Sequence, residues 1–134
     1  MKPPGNSVLV VEDFDPDFEL VCRRLRAVAP TLQVSRLHDL DEIARWLDHP
    51  EPPPSLVLLD LSLRDGDASR LLADFRRALQ KVPLVVWSAS PDPDVPRRCL
   101  ASGADRFIRK VADGNAVAKQ LDFLIARWVL APAD

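Results

Sequence analysis

The sequence predicts a doubly wound α/β fold, in which five parallel strands form one sheet and five helices cover its two faces. Short apolar runs rich in β-branched residues alternate with longer stretches of helical periodicity, a pattern typical of parallel strands buried on both sides. Four of these runs end at reactive side chains, and they span residues 8–11, 56–59, 84–87 and 107–108. Because crossover helices return each strand in the same direction, these four ends should lie at one edge of the sheet.

Size and charge limit the classes of function. A chain of 134 residues, 47% of them hydrophobic, suits one domain over residues 1–134 with a core at about 6–130 and no output domain. The net charge of -2 gives no general attraction to nucleic acid or to an anionic membrane. No apolar run has membrane-spanning length, and residues 1–5 lack the apolar core of a secretion signal. We therefore expect a cytoplasmic protein.

The first helix follows the strand at 8–11. Asp15 and Pro16 predict its N-cap and its first turn, because proline is favoured there. Its inner face is formed by apolar residues at helical spacing: Phe18, Val21, Cys22, Leu25 and Val28. A second strand is predicted at 32–37.

The second helix begins at a capping-box spacing, with Asp39 as the cap and Glu42 three residues later. Its predicted inner face consists of Leu40, Ile43, Ala44 and Leu47. Four prolines between residues 50 and 54 end this helix and make a stiff loop before the third strand.

Three more helices complete the alternation. Asp67 is placed to cap the third, whose apolar stripe is Leu71, Leu72, Phe75 and Leu79. The fourth is short, at about 95–102, and Gly103 provides its stop. The last is predicted at about 115–130, before Pro132, with an inner face of Val117, Leu121, Leu124, Ile125 and Trp128.

Cysteine and histidine residues give no sign of a redox or metal site. Cys22 and Cys99 have neither a CxxC spacing nor a nearby histidine, so we interpret both as reduced packing residues. His38 and His49 are isolated, and we expect them at the solvated surface.

The side chains at the strand ends predict a phosphoryl-transfer site. Glu12 and Asp13 follow the first strand and Asp60 follows the third, and such carboxylates suit Mg²⁺, which prefers hard oxygen ligands. Asp60 can act as a nucleophile and form an acyl phosphate. Ser88 offers a hydrogen bond and Lys110 a compact positive charge to the phosphoryl oxygens.

In order and spacing, these motifs resemble the receiver domain of bacterial two-component response regulators over almost the whole chain. The matching segments are VLVVED at 8–13, LLDLSL at 58–63, WSA at 87–89 and GADRFIRK at 103–110. The resemblance implies a flavodoxin-like (βα)5 three-layer sandwich with strand order 2-1-3-4-5. It also implies that a histidine kinase or a phosphotransfer protein phosphorylates Asp60.

The resemblance assigns a role to each site residue. Asp13, Asp60 and the backbone carbonyl of Ser62 would bind Mg²⁺ or Mn²⁺, with Glu12 reaching the metal through water. Ser88 and Phe107 would form a switch pair that reshapes the face made by the fourth helix, fifth strand and fifth helix. Ser62 and Ser90 occupy the two positions that tune hydrolysis of the phosphoryl group in relatives.

Four positions depart from the pattern of the family. Val111 replaces the proline after the lysine, so a cis peptide bond is not expected there. Arg64 and Ala68 replace a usual proline and glycine in the loop after Asp60, which should change loop stiffness more than chemistry. Phe107 replaces a commoner tyrosine and lacks its hydroxyl; it could also be simply a buried strand residue.

The end of the last helix is unusually apolar because of Phe123, Trp128 and Leu130. It is similar to the C-terminal segment through which receivers that partner bacterial phytochromes form dimers. The chain also resembles stand-alone receivers, which bind a downstream target when phosphorylated or relay the phosphoryl group. A homodimer through this helix or through the switch face is therefore one prediction, and a ragged helix end is the alternative.

Two other functions stay open. A pseudo-receiver would dock to its partner without phosphorylation. The intact set of site residues disfavours it, and the missing proline after Lys110 mildly favours it. A phosphatase or phosphotransferase of the haloacid dehalogenase type would also use an aspartate nucleophile. Such enzymes carry a second aspartate two residues later, and Ser62 stands there instead. No general acid is then available, so this function ranks last.

Overall fold

Five parallel strands form one sheet in the computed structural model, which describes residues 7–63 and 65–130. The strands are β1 (Ser7–Val11), β2 (Gln33–Leu37), β3 (Leu56–Leu59), β4 (Leu84–Ser88) and β5 (Arg106–Arg109). Their order is β2-β1-β3-β4-β5, and every neighbouring pair is parallel. The predicted fold class and strand order are confirmed.

Helices cover both faces of the sheet. They are α1 (Asp15–Val28), α2 (Leu40–Asp48), α3 (Leu72–Ala78), α4 (Val95–Ala101) and α5 (Gly114–Trp128). Alternate strand residues divide the core into two layers. Val8, Val10 and Trp87 pack toward α1 and α5, whereas Leu9 and Val11 pack toward α2, α3 and α4. None of the described helices is long and apolar enough to cross a membrane.

The start of α1 differs from the prediction. Phe14 is the N-cap residue and makes no side-chain capping bond, so Asp15 is the first helical residue rather than the cap. The carboxylate of Asp15 instead accepts a hydrogen bond from Arg36 at 2.8 Å. Val28 is exposed in the last turn, since the buried part of this helix ends at Leu25.

The predicted cap of α2 is confirmed in part. The Asp39 carboxylate accepts from the Glu42 amide at 2.8 Å, but the Glu42 carboxylate accepts from the amide of His38 rather than from that of Asp39. Ala44 is exposed, which corrects the predicted inner face. Trp46 packs toward α3 instead, and the centroids of the Trp46 and Phe75 rings lie 6.1 Å apart.

A small hairpin lies between β3 and α3, and it was not predicted. Ser62–Leu63 pairs antiparallel with Gly66–Asp67, and Arg64 lies outside the described residues. Gly66 has φ +147°, and a Cβ there would stand 2.8 Å from a side-chain carbon of Leu40, so the turn favours glycine. Asp67 then caps a 3₁₀ turn at Ala68–Leu71, ahead of α3.

The remaining helix ends fall close to the predictions. Gly103, with φ +116°, follows α4 directly after its C-cap at Ser102. Helix α5 ends at Trp128, two residues before the predicted end, and Pro132 lies outside the described residues. Cys22 and Cys99 are free and buried, as expected of packing residues.

Arg76 joins three segments at the end of the sheet opposite the reactive side chains. Its guanidinium donates to the backbone carbonyl oxygens of Gly103, Leu79, Gln80 and Val82. It also pairs with the Asp105 carboxylate at 2.7 Å, which in turn accepts from the amide of Leu84 at 2.8 Å. One side chain therefore fixes the end of α3, the start of β4 and the loop before β5.

Arg76→Met is expected to lower the free energy of unfolding by about 2–4 kcal/mol, because it leaves several part-buried carbonyl groups without a donor. Arg77→Met is the matched control, since within the described part of the chain the exposed Arg77 side chain pairs only with Asp74. The control should stay within about 0.5 kcal/mol of wild type. Urea unfolding measures both, and equal losses in the two variants would refute the role given to Arg76.

Candidate functional site

Lys110 is the centre of the site at the carboxyl edge of the sheet. It follows β5, and its ammonium lies 2.7 Å from a Glu12 carboxylate oxygen beyond β1 and 3.0 Å from an Asp60 carboxylate oxygen beyond β3. The ring of Trp87, on β4, lies beside it, with its centroid 4.4 Å from Nζ. The structure thus brings together Glu12, Asp60 and Lys110, as parallel strand ends should.

Asp17 is a fourth member of this cluster that the sequence analysis missed. It lies in the first turn of α1, and its carboxylate is 2.7 Å from Lys110 Nζ. An acidic residue in a first turn is normally explained by the helix dipole alone. Its helical position also gave no reason to place it at a strand end, so the sequence carried no distinguishing signal.

Burial and charge shift the ionisation of two groups in this cluster. Burial raises the pKa of Glu12 to about 7, the nearby charge of Asp60 adds to this, and Lys110 opposes it. Burial alone would lower the pKa of Lys110, but the charges of Asp60 and Glu12 and the hydrogen bond to Asp17 raise it above 10.5. Lys110 is therefore charged at neutral pH, whereas Glu12 titrates near neutrality.

Stability should fall as pH rises from about 4.5 to about 7. The pKa of Glu12 is higher in the folded state than in the unfolded state, so the folded state binds more protons in that window. Glu12→Gln should flatten this part of the pH profile of stability. Relative to wild type, its free energy of unfolding should be about 1–3 kcal/mol higher at pH 8 than at pH 5.

The test is urea unfolding in a chelator at pH 5 and at pH 8. Glu19→Gln is the matched control. It removes the same charge from an exposed glutamate on α1. The control should keep the wild-type slope. A Glu12→Gln protein that also kept it would contradict the raised pKa.

Arg36 fixes the loop that carries the first two acids. Its Nε donates to the carbonyl oxygen of Glu12 at 2.8 Å, and its guanidinium lies over the ring of Phe18, 4.4 Å from the centroid. The second carboxylate oxygen of Glu12 accepts from the amide of Phe14 at 3.3 Å. Asp13 is half-buried beside it. Arg36, a residue of β2, was not predicted to contribute.

The predicted switch residues lie on neighbouring strands. Ser88 is fully buried at the end of β4, where its hydroxyl accepts from the amide of Ser90 at 3.4 Å. Phe107 is half-buried on β5 and packs against the core on the α3 and α4 side. The Arg109 guanidinium lies 5.6 Å from the centre of that ring and donates to the carbonyl of Ser90. Arg109 thus joins the aromatic ring to the loop after β4.

Both oxygens of Asp60 have donors. One accepts from the amide of Ser62 at 3.1 Å and the other from Lys110 at 3.0 Å. A cavity of about 270 Å³ lies between the hairpin, α3 and α4. Ser62 and Ser90 line it, so the two small side chains leave open space next to the loop that follows Asp60.

The donor set suits a hard divalent cation in chemistry, and two of its members, Glu12 and Asp60, contact Lys110. Carboxylates of Glu12, Asp13 and Asp60 lie on neighbouring strand ends, and oxygen ligands of this kind fit Mg²⁺ or Mn²⁺. In residues 7–63 and 65–130, however, no three acidic, histidine or cysteine side chains stand close enough to hold one metal ion. Mg²⁺ keeps several waters and is usually bound by one or two carboxylates, so the expected set of Asp13, Asp60 and the Ser62 carbonyl does not depend on such a group. The peptide bond after Lys110 is trans, as expected with Val111.

Comparison with known proteins identifies relatives of the chain. The family model described as the response regulator receiver domain matches residues 8–122. The KDP operon transcriptional regulatory protein KdpE of Escherichia coli is 31% identical over 105 residues, which are 78% of this chain and 44% of that protein. The phosphate regulon transcriptional regulatory protein PhoB of Escherichia coli is 32% identical over 77% of this chain and 44% of its own length. The chain thus spans less than half the length of these relatives.

Solved structures share the fold. The Mn²⁺-bound form of response regulator Rcp1 superposes with a TM-score of 0.87 at 23% identity, covering 95% of this chain and 96% of that one. The phosphorylated cyanobacterial phytochrome response regulator RcpA gives 0.85 at 24% identity, covering 96% and 97%. At these identities the likeness establishes the common fold.

Proposed function

Because the chain belongs to the family of response regulator receiver domains, we propose that it accepts a phosphoryl group on Asp60 and that this modification changes a partner-binding face. The observation that carries the proposal is the contact between Asp60 and Lys110 at 3.0 Å. It pairs a buried nucleophile with a fixed cation at the edge of the sheet where such folds bind ligands. Phosphoryl transfer needs positioning and charge more than covalent work by the protein.

The transfer would proceed by attack of an Asp60 carboxylate oxygen on the phosphorus of a donor. The bond from phosphorus to the leaving group of the donor breaks as the new oxygen–phosphorus bond forms, and an acyl phosphate results. The Lys110 ammonium pairs with the negative oxygens of the transferring group. The Ser88 hydroxyl, whose oxygen accepts from the Ser90 amide, keeps its own O–H to donate to one of them. A bound divalent metal would supply further charge neutralisation.

The metal is part of the proposal. Asp13, Asp60 and the carbonyl of Ser62 would hold Mg²⁺ or Mn²⁺, with Glu12 contributing through water. Rcp1 was solved in a Mn²⁺-bound form, which supports this assignment by family likeness. The donor would be a histidine kinase or phosphotransfer protein, and the site of action the cytoplasm.

Two surfaces are proposed for partners. Ser88 and Phe107 would alter the face of α4, β5 and α5, which would then bind a downstream target or take part in relay of the phosphoryl group. Phe123 is exposed near the end of α5, and its ring meets that of Trp128 edge to face at 6.5 Å between centroids. We also propose a homodimer that forms through this end of α5.

One observation favours the alternative of a docking module that works without phosphorylation. The Lys110 ammonium by itself holds the carboxylates of Glu12, Asp17 and Asp60 together. An ammonium held in this way could be purely structural. Phosphoryl uptake separates the two functions, since only a working receiver takes up the group at Asp60.

Borohydride mapping tests the assignment of the acceptor. The protein is incubated with acetyl phosphate and Mg²⁺, reduced with borohydride and digested, because reduction of an aspartyl phosphate leaves homoserine at the modified position. Homoserine at residue 60 is the expected result. Homoserine at another aspartate, or at none, would refute the proposal.

A further inference from the structure

We propose that Asp17 is a positioning residue that holds Lys110 in the unphosphorylated protein and releases it when Asp60 is phosphorylated. The inference rests on the proposed function, because it concerns the same lysine. The new point is that a carboxylate on α1, outside the strand-end motifs, disfavours the phosphorylated state.

The hydrogen bonds of Lys110 are fully used in the structure. An ammonium has three N–H donors, and the described residues offer three carboxylate acceptors: Glu12 at 2.7 Å, Asp17 at 2.7 Å and Asp60 at 3.0 Å. The longest of the three contacts is the one to the phosphoacceptor. Lys110 can therefore keep its place beside Asp60 and add a contact with a phosphoryl oxygen only if Glu12 or Asp17 gives up its share.

Exposure decides which carboxylate is released at least cost. The Asp17 side chain is 26% exposed, against 1% for Glu12 and 9% for Asp60. A buried carboxylate that loses its cation is left without solvation, whereas water can replace the cation at an exposed one. Asp60 carries the phosphoryl group itself, so Asp17 is the partner that Lys110 can leave most easily.

A direct consequence follows for the equilibrium between the two states. A contact present in only one state favours that state by its own free energy. The Asp17 contact stabilises the unphosphorylated arrangement, and its negative charge also repels an anionic group near Lys110. Removing Asp17 should therefore make the phosphorylated arrangement easier to reach, although no residue at the strand ends has changed.

The first test needs neither metal nor donor. Because Lys110 Nζ lies 4.4 Å from the centre of the Trp87 ring, Trp87 emission reports the position of the ammonium. In a Trp46→Phe, Trp128→Phe background, Asp17→Asn should shift that emission, and Glu19→Gln should not. In the same background with Lys110→Met, Asp17→Asn should have no effect, since a positioning residue acts through its lysine.

The second test uses beryllium fluoride as a phosphoryl mimic at saturating Mg²⁺, with Mg²⁺ affinity measured separately. Asp17→Asn is expected to bind the mimic about threefold to tenfold more tightly, the size of the net contribution of one typical hydrogen bond. Glu19→Gln should stay within about twofold. Asp17→Glu keeps the charge, and its affinity for the mimic should lie between those of wild type and Asp17→Asn.

Each outcome is decisive. Unchanged Trp87 emission in Asp17→Asn, or unchanged affinity for the mimic in a folded variant, would overturn the role of Asp17 and leave the proposed function standing. Failure of the wild type itself to bind the mimic or to accept a phosphoryl group would overturn the proposed function and the release step with it. An emission shift together with tighter binding supports the inference.

Discussion

Asp60→Asn is expected to abolish phosphoryl uptake while the domain stays folded. The amide is nearly isosteric with the carboxylate but is not a nucleophile. Asp60 is buried and both of its oxygens have donors, so one donor, the Ser62 amide or the Lys110 ammonium, will face the new NH₂ group. Lys110 keeps two carboxylates in either case, and we expect a loss of stability of about 1–2 kcal/mol.

Uptake from acetyl phosphate and urea unfolding are the two measurements for Asp60→Asn. Asp41→Asn is the matched control, because Asp41 is an exposed aspartate on α2 whose ion pair is with Arg45 and not with a site residue. It should label like wild type. Mg²⁺-dependent labelling of Asp60→Asn would show that the acceptor is another residue.

Lys110→Ala is expected to retain Mg²⁺ binding and to lose most of the switching response. Without the ammonium, the oxygens of a phosphoryl group have no fixed cation from β5, and Glu12 is left buried without its partner. Loss of one member of a buried ion pair costs about 3–5 kcal/mol. The cost should be smaller at pH 5 than at pH 8, because protonation of Glu12, whose pKa is near 7, removes the unpaired charge.

Amide chemical shifts of β5 and α5, compared before and after phosphorylation or addition of the mimic, measure the switching response. Lys119→Ala, at an exposed position of α5, is the matched control and should respond like wild type. A full response in Lys110→Ala would remove this lysine from the mechanism.

The sheet could be predicted closely because its strands leave a simple pattern. Each predicted strand agrees with the structure to within one residue at either end, since buried parallel strands are continuous apolar runs. The helix starts were less certain, and at α1 the Asp15 carboxylate bonds to Arg36 instead of capping. Pairing between distant residues of this kind leaves no local signal in a sequence.

The hairpin after β3 shows a different limit. Its strands have two residues each, too short for any periodicity. Asp65 and Gly66 are residue types common in turns and could have indicated a change of chain direction here. Apolar spacing also overestimated two inner faces. Val28 lies beyond Leu25, the last buried residue of α1, and Ala44 is exposed although Ile43 and Leu47 on the same helix pack against the core.

The site was predictable where strands position it and unpredictable where other elements contribute. Glu12, Asp60 and Lys110 follow strands, so topology alone brings them together. Asp17, Arg36 and Arg109 reach the site by their side-chain conformations and by packing between α1, β2 and β5. Their contributions required the structure.

The most direct test of phosphoacceptance is the intact mass of the protein after incubation with acetyl phosphate, with Mg²⁺ and with a chelator, beside Asp60→Asn. A gain of one phosphoryl group that requires Mg²⁺ and is absent from the variant is the predicted result. No gain in the wild type, with Mg²⁺ binding shown separately to be intact, would contradict phosphoacceptance and favour a docking module.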